Sequence, residues 1–344
     1  MRRFQFTSWR STRSRVLSVA AGALATVAGM AAQSHAGTVT FGSGANQFNM
    51  EFVKIGNPGN AADTTGKPSS AGSVEYEYAI GKFEVSESMI TKFNASQSLQ
   101  ITQSTRGVNK PATFVSWNEA ARFVNWLNTE KGFAPAYKFT TAGVNDNIAL
   151  WTSGETLDYD SANQFRSKRA KYFLPSMNEW YKAAFYNPSQ GVYYDFANGK
   201  NTAPTAVASG TTDDTAVWQR TIGQGPADVN QAGGLSPYGV MGLGGNAWEW
   251  EESTTDVLNN NGSANRGVRG GSWITTSLQV NDLSSSNRLE HPTAPWLNPS
   301  VSDDDIGFRV ASLDQEAIVP EPSMMLIGTL FGLGGLVAKR RRKK

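Results

Sequence analysis

The sequence of 344 residues predicts a loop-rich α+β fold. Three segments have the capping residues of short helices, and two segments alternate apolar and polar residues at the period of a β-strand. The rest is largely aperiodic, and residues 187–236 in particular are rich in Gly, Asn, Thr, Ala and Asp. Irregular chain of this length indicates either functional loops or an elaborated scaffold.

The predicted strands come first in the chain. Residues 38–56 include "FNMEFVKIG", in which Phe, Met and Val recur at strand spacing. In the later segment "VEYEYAIGKFEV", four residues fall on one side of an extended chain: Val74, Tyr76, Tyr78 and Ile80. That pattern predicts a strand with one buried face and one face in water.

Each of the three predicted helices begins after a serine. The first covers about residues 87–95 behind Ser86, whose side chain suits an N-cap. The second and the third begin at Ser116 and Ser176, each followed three residues later by a glutamate. This spacing is the capping box, in which the two side chains satisfy backbone N–H groups reciprocally. We therefore expect helices that start sharply at both positions.

The first 36 residues predict a secretory signal peptide. They contain five arginines and no acidic residue, and include the apolar run "VLSVAAGALATVAGMAA". The segment ends at Ser34, His35 and Ala36, a small-x-small exit before Gly37. A charged start, an apolar stretch and a small-residue exit in that order are typical of a cleaved export signal. An uncleaved N-terminal anchor is the alternative.

Residues 319–344 predict a second targeting element. Fifteen apolar or small residues, 324–338, precede six consecutive bases. Because a stable membrane span needs roughly 20 apolar residues, this transmembrane segment is short. Together with Pro320, Glu321 and Pro322, it resembles the PEP-CTERM protein-sorting signal of exopolysaccharide-producing bacteria. The resemblance implies that membrane sorting machinery recognises the tail and removes it, and an ordinary single-span anchor is the alternative.

Between the two ends, residues 37–318 predict one acidic domain. This part contains 20 Lys and Arg against 28 Asp and Glu, a net charge of −8. Because affinity for a phosphate backbone depends on clustered bases, we expect no nucleic acid partner. The two targeting elements predict export to the cell envelope or the extracellular space, with transient membrane anchoring through the C-terminal segment.

Missing residue types exclude several classes of site. The chain contains no cysteine and two histidines, of which His291 alone lies outside the predicted signal peptide. Disulfides, thiolate nucleophiles and thiolate metal sites are therefore excluded, as are histidine-rich metal sites within one chain. A Ser/His/Asp triad on His291 would need a nucleophile motif, which the surrounding "RLEHPTAPWLNPS" lacks.

Three motifs in the C-terminal third place charges among glycines and aromatic residues. "GGNAWEW" sets Glu249 between Trp248 and Trp250. "RGGSW" and "GFRVA" place Arg269 and Arg309 beside glycines and apolar residues. A buried carboxylate or guanidinium needs a partner. We therefore expect Glu249 either to pair with one of the two arginines or to bind a metal ion.

The order of "EVS", "FVSWNEAARFVNWLN", "FLPSMNEWYKAA", "SPYG", "GGNAWEW", "RGGSW" and "GFRVA" resembles the formylglycine-generating enzyme family, or sulfatase-modifying factor domain. The resemblance covers roughly residues 50–313 and depends on the combination of motifs. It implies a compact, loop-rich domain related to the C-type lectin fold. The motif residues are then expected to be structural: Asn246, Trp248, Trp250, Arg269, Gly270, Gly271, Trp273 and Arg309.

The same resemblance bears on the chemistry. Oxidases of this family use two cysteines that bind copper, and the matching positions here are Thr275 and Val280. Neither a hydroxyl nor an isopropyl group is a soft ligand for Cu(I). The chain therefore departs from the oxidases at the atoms that do their chemistry, and no copper is expected.

The resemblance also implies a calcium site in the "GGNAWEW" segment. Its ligands would be the backbone carbonyls of Gly245 and Ala247 and the carboxylate of Glu249. The family has an Asp or Asn where this chain has Gly242, which offers no side chain. Because calcium prefers six to eight oxygen ligands, losing one weakens such a site. Calcium at Glu249 and an ion pair at Glu249 stay open as alternatives.

A run of acidic residues in "SDDDIGF" invites comparison with a metal cluster. Asp303, Asp304 and Asp305 are consecutive, so their side chains point in different directions, and the alternation of an EF-hand loop is missing. The run therefore predicts a solvated acidic loop.

These observations predict an exported binding or structural module that lacks the oxidase chemistry. The implied relation to lectins makes a glycan, such as an exopolysaccharide, the expected ligand class by fold analogy. An enzyme with cysteine-independent chemistry in the same pocket is the alternative, and a formylglycine-generating oxidase is the least expected. Convergent polar groups beside Thr275 and Val280 would favour the enzyme, whereas apolar packing there would favour the module.

Overall fold

The computed structural model describes residues 37–313. The predicted signal peptide, residues 1–36, and the predicted sorting signal, residues 319–344, lie outside the described residues. No helix between residues 37 and 313 combines the length and the apolar character needed to cross a membrane.

The larger sheet has five strands and joins both ends of the described chain. Its strands are β1 (Gly37–Phe41), β2 (Phe48–Ile55), β3 (Tyr78–Gly81), β4 (Tyr172–Phe173) and β12 (Ala311–Ser312). Their order in the sheet is β1-β2-β3-β12-β4, and every neighbouring pair is antiparallel. The sequence prediction of strands within residues 38–56 is confirmed by β1 and β2.

The strand predicted around Tyr76 is only partly formed. Strand β3 begins at Tyr78, and all four of its residues are buried. Tyr76 precedes the strand and is 41% exposed, whereas Val74 is buried. The prediction of one half-buried strand through these residues is therefore wrong. Because β3 lies between β2 and β12 and packs on both faces, alternation in the sequence does not reflect its environment.

Three α-helices are present among residues 37–313, and all three were predicted. They are α1 (Glu87–Ser96), α2 (Trp117–Glu130) and α3 (Met177–Phe185). Both capping boxes form. The side chains of Ser116 and Ser176 accept hydrogen bonds from the backbone N–H groups three residues on, and the carboxylates of the glutamates there accept from the backbone N–H groups of the two serines. Reciprocal capping explains why these helices begin where the sequence predicts.

A smaller sheet carries residues of the motifs "GGNAWEW", "RGGSW" and "GFRVA". Strand β9 (Trp248–Thr254) lies between β10 (Arg266–Arg269), which is antiparallel to it, and β11 (Ile306–Gly307), which is parallel. All seven residues of β9 are buried. The pairing of β9 with β10 is irregular at Gly267: Val268 pairs with Trp250, but Arg266 pairs with Thr254. Between Trp250 and Thr254, the side chains of β9 therefore do not follow the regular alternation between the two faces of a sheet.

The long segment between α3 and β9 is irregular, as predicted. Its strands have two residues each and form two pairs: β5 (Tyr186–Asn187) with β6 (Val192–Tyr193), and β7 (Thr205–Ala206) with β8 (Thr215–Ala216).

Aromatic residues connect the helices to the larger sheet. The Phe123 ring of α2 lies edge-on to Phe93 of α1 and stacks against Phe48 of β2, with centroid separations of 5.5 and 6.2 Å. Helix α2 also contacts β9, because Trp117 Nε1 donates to the carbonyl of Glu251 at 2.8 Å. Large buried rings of this kind supply much of the apolar area that stabilises a loop-rich fold.

Candidate functional site

The centre of the smaller sheet is a buried network of acids and arginines. Strand β9 contains Glu249, Glu251 and Glu252, and all three are fully buried. An isolated carboxylate is very costly to bury, so each one needs a cationic partner. Each has at least one arginine partner, and those arginines come from distant parts of the chain.

Glu249 forms an ion pair with Arg309. The Nε of Arg309 donates to Oε2 at 2.5 Å, and its Nη2 donates to Oε1. The indole Nε1 of Trp180 donates to Oε2 at 2.7 Å. Arg309 also donates to the carbonyls of Gly81, at 2.8 Å, and Met241, at 3.0 Å. The pair therefore connects the smaller sheet to β3 of the larger sheet through the arginine.

Glu251 serves two arginines. Its Oε1 accepts from Arg269 Nε at 2.8 Å, and its Oε2 accepts from Arg288 Nε at 2.6 Å. The sequence predicts Arg269 as one of two candidate partners of Glu249, but Arg269 pairs with Glu251 instead. A side chain at position 267 would collide with Arg288 and with Glu251. The glycine there is required because the ion pairs pass directly over the backbone.

Glu252 and Glu179 of α3 both pair with Arg166. Arg166 donates to both carboxylate oxygens of Glu252, at 2.8 and 2.6 Å, and to both oxygens of Glu179, at 3.0 and 2.9 Å. Glu179 is the capping-box glutamate of α3, so its carboxylate caps the helix and binds the arginine. Burial opposes the charge on Arg166, but the two glutamates raise its pKa above the usual range.

Sequence reasoning missed two of the four arginines in this network. Arg166 lies in "NQFRSKRA" and Arg288 in "SSSNRLEH", and neither stretch has a local pattern that marks burial. The signal available was an imbalance of charge: β9 has three glutamates, and the prediction named candidate partners for Glu249 alone.

The glycine and tryptophan motifs hold the loops around this network. The backbone N–H of Gly245 donates to the carbonyl of Gly270 at 2.7 Å, which joins the two motifs. The carbonyl of Asn246 accepts from the N–H of Trp273 at 3.0 Å. Gly271 has a positive φ of 71°. The side chains of Ala247, Trp248, Trp250 and Trp273 are buried.

A further buried glutamate, Glu84, lies beside the Glu249–Arg309 pair. Glu84 Oε1 accepts from the Asn246 side chain at 2.8 Å, while Oε2 has no partner among the described residues. Burial raises the pKa of Glu84 to about 8, with Arg309 lowering it and Glu249 raising it. A Cβ on Gly242 would lie 2.8 Å from this carboxyl group, so the glycine makes room for it.

The residues present do not fit the calcium site that the family resemblance implies. Arg309 binds both oxygens of Glu249, and Trp180 binds one of them as well. A calcium ion would have to displace a guanidinium that is buried together with the carboxylate. At position 242, the neighbouring Glu84 carboxyl takes the space of the missing side chain. These contacts favour the ion-pair alternative for Glu249.

The raised pKa of Glu84 predicts a specific pH dependence of stability. Between its usual value of 4.5 and about 8, folded Glu84 keeps a proton that the unfolded chain releases. Its contribution is therefore fully present below about 4.5 and is lost as the pH rises to about 8. In Glu84→Gln, the gain in melting temperature over the parent should grow between pH 5 and pH 8.

Thermal melts at several pH values measure that difference. Glu77→Gln is the matched control, because the Glu77 side chain is 48% exposed and pairs with Lys54 at the surface. Its difference from the parent should stay constant. Parallel curves for Glu84→Gln and the parent would show that Glu84 is ionised throughout.

The positions of the family's catalytic cysteines contain packed side chains. Thr275 is buried, and its Oγ1 accepts from the N–H of Ser272 at 3.1 Å. Val280 packs against an apolar cluster that includes Trp218 and Leu283. A nearby cavity lined by Leu283 and by residues 242–244 has a volume of about 20 Å³, enough for about one water molecule.

One polar pair does lie next to Thr275. The hydroxyl of Ser272 donates to Asp305 Oδ2 at 2.6 Å, and Asp305 is buried. The prediction that the acidic run is a solvated loop is therefore wrong for Asp305, although Asp304 is exposed. Burial raises the pKa of Asp305, with Ser272 lowering it and Asp303 raising it. Among residues 37–313, no group of three or more acids or histidines is placed to hold a metal ion.

Comparison with known proteins identifies one family and two relatives that match over part of their length. A profile of the sulfatase-modifying factor enzyme 1-like domain matches residues 25–313. The protein named inactive C-alpha-formylglycine-generating enzyme 2 is 35% identical in mouse over 107 residues, covering 28% of this chain and 32% of that protein. The bovine protein of the same name is 26% identical over 196 residues, covering 54% and 58%. The chain thus matches less than two thirds of either relative.

Solved structures share the fold. Treponema denticola variable protein 1 is 18% identical, with a TM-score of 0.51 over 80% of this chain and 99% of that one. CarF is also 18% identical, with a TM-score of 0.53 over 77% of this chain and 99% of CarF. At such low identity the similarity concerns the fold alone. The relation to the C-type lectin fold stays a prediction.

Proposed function

The chain belongs to the sulfatase-modifying factor enzyme 1-like family, and we propose that it is a non-catalytic member that serves as a binding or structural module. The proposal rests on the side chains at the two positions where the oxidases have cysteines, because both side chains are engaged within the fold. Thr275 is hydrogen-bonded and buried, and Val280 is packed against apolar side chains. The mouse and bovine relatives, which are named as inactive, support the same conclusion.

We expect no formylglycine formation by this protein. Cu(I) needs soft ligands, and the chain contains no cysteine to supply them. Purified protein would be incubated with copper, oxygen and a peptide carrying a sulfatase cysteine motif, and the peptide analysed by mass spectrometry. The cysteine should stay unmodified, as in a control with copper alone. Turnover above that control would overturn the proposal.

A second candidate is an enzyme of the same family with cysteine-independent chemistry. The feature that favours it is the buried carboxyl of Asp305, which has a raised pKa and lies against the Ser272 hydroxyl. A carboxyl of this kind can act as a general acid or base. The module is the better proposal, because the Ser272 hydroxyl and the Thr275 hydroxyl are both engaged in internal hydrogen bonds.

For the ligand we propose a glycan, such as the exopolysaccharide of the producing cell. The support is the analogy with lectin folds and the resemblance of the C-terminal segment to a signal found in exopolysaccharide producers. The acidic balance of residues 37–318 supports the accompanying proposal that nucleic acid is not a partner. We propose no copper cofactor.

We further propose that the protein is exported to the envelope or the medium and is processed at both ends. The N-terminal signal would be removed before Gly37, and membrane sorting machinery would cut near Pro320. Peptide mapping of protein from the native host's membrane and medium should therefore find neither the signal peptide nor the six terminal bases. Protein that stays in the membrane with residues 339–344 intact would contradict sorting and indicate an ordinary anchor.

A further inference from the structure

A groove next to the buried network has the size and chemistry of a small-ligand site. We call it the Trp296 groove, and its polar and aromatic lining includes Lys67, Asn287, Glu290, His291 and Trp296. Its volume is about 430 Å³. Small-molecule sites in proteins have volumes of about 300–1,000 Å³ and combine an apolar surface with a few placed polar groups.

The aromatic surface of the groove is an indole that the fold leaves in water. Trp296 is 47% exposed, whereas Trp248 and Trp250 of β9 are buried. Leaving an indole in water forgoes the stabilisation that its burial would supply. A ligand with an apolar face would recover it. The C–H face of a pyranose ring is such a surface, and its edge carries hydroxyl groups.

The turn that carries Trp296 is anchored before any ligand arrives. Trp296 lies in a short turn, Pro295–Leu297, whose Leu297 is fully buried. The side chain of Asn265 donates to the carbonyls of Pro292 and Ala294, at 3.0 and 2.8 Å, which fixes the preceding loop. A rigid binding surface loses less conformational entropy when a ligand binds.

The polar rim offers a donor and an acceptor side by side. The Lys67 ammonium lies 3.2 Å from Glu290 Oε1, with side-chain exposures of 49% and 23%. Glu290 Oε2 accepts from the buried Arg288 at 3.0 Å, so the carboxylate is fixed in orientation. A sugar hydroxyl both donates and accepts hydrogen bonds, and an adjacent ammonium and carboxylate match a pair of neighbouring hydroxyls.

The two charges exposed at the rim of the groove cancel. Lys67 pairs with Glu290. Arg288, in contrast, is buried and shares the Glu251 carboxylate with Arg269. A polyanionic ligand would gain little from such a surface and would face the Glu290 carboxylate. We propose that the Trp296 groove binds a hexose unit of a neutral saccharide. This inference rests on the proposed function as a glycan-binding module and gives that function a place on the fold.

Titration with defined oligosaccharides tests the site. The purified full chain would be titrated by calorimetry with cellohexaose, maltohexaose, mannohexaose and, as a charged comparison, hexagalacturonate. At least one neutral hexaose should bind. Trp296→Ala should weaken that binding by at least about tenfold, since an aromatic side chain that the ligand covers dominates such contacts. Leu278→Ala is the matched control, because Leu278 is 97% exposed and does not line the groove. Its affinity should equal that of the parent.

The possible outcomes separate the groove from the wider proposal. Binding that survives Trp296→Ala overturns the groove and leaves a glycan module with another site. Preference for hexagalacturonate overturns the neutral ligand. No binding by any of the four overturns the groove and leaves the proposed binding or structural module in place. The melting temperature of Trp296→Ala should fall by only a few degrees, because about half of the indole is already in water. A large drop in that temperature would assign Trp296 to the core and overturn the inference.

Discussion

Glu251→Gln should prevent the protein from accumulating in folded form. Glu251 is the carboxylate shared by Arg269 and Arg288, and all three side chains are fully buried. A glutamine keeps the shape but places an NH2 group, a donor, against one of two guanidiniums that also only donate. Breaking one buried pair costs roughly 3–5 kcal/mol. The substitution leaves Arg269 with no carboxylate and Arg288 with Glu290 alone. The combined loss therefore approaches the lower end of the total stability of a typical domain, about 5–15 kcal/mol.

Soluble yield and urea unfolding measure this effect against a matched control. Glu290→Gln removes the same charge from the rim of Arg288, where the glutamate is 23% exposed and 3.0 Å from the arginine. It should cost no more than about 1 kcal/mol. Arg269→Met should fall between the two, because Glu251 then keeps Arg288. Wild-type stability in Glu251→Gln would show that water reaches this carboxylate.

The helices of this fold could be predicted because their signals are local. A serine and a glutamate three residues apart form a capping box whatever the rest of the chain does, and Ser116 and Ser176 both do so. Strand β3 shows the limit of such reasoning. All four of its residues are buried, and parts of the chain far away in sequence cover them, such as α3, whose Glu179 carbonyl accepts from the Tyr78 hydroxyl. The alternation around Tyr76 does not report this burial.

The sequence predicts which residue types form the buried site, but not which arginine pairs with which glutamate. That Glu249 needs a cationic partner follows from the cost of burying a carboxylate, and the candidates Arg269 and Arg309 follow from their apolar surroundings. Which arginine meets which glutamate depends on the topology: 60 residues separate Glu249 from Arg309. The partner of Glu252 lies 86 residues before it, in a stretch without pattern.

Glu249→Gln should destabilise the protein less than Glu251→Gln does. Its partner Arg309 loses two charged contacts but keeps the carbonyls of Gly81 and Met241. In addition, Glu84 lies close enough for its charge to interact with Arg309. When Glu249 is neutral, Glu84 can ionise and serve as the counter-charge. We therefore expect a loss near the lower end of roughly 3–5 kcal/mol.

A double-mutant cycle makes that compensation measurable. Glu84→Gln alone should be mildly stabilising at pH 8, since it removes the competing acid. Combined with Glu249→Gln, it should leave Arg309 without any carboxylate, so the double variant should be less stable than the sum of the single changes predicts. Urea unfolding at pH 8 measures all four proteins. Additive effects would show that Glu84 does not act on Arg309.

The same proteins decide between the ion pair and calcium at Glu249. Arg309 already supplies the positive charge that a calcium ion would bring, and it occupies both carboxylate oxygens. The melting temperature of the parent should therefore stay constant from a chelated solution to millimolar calcium. A ligand that binds only the folded state raises the melting temperature with its concentration. A rise in the parent that is absent in Glu249→Gln would establish a calcium site there, and Arg309 would then have to hold a different partner.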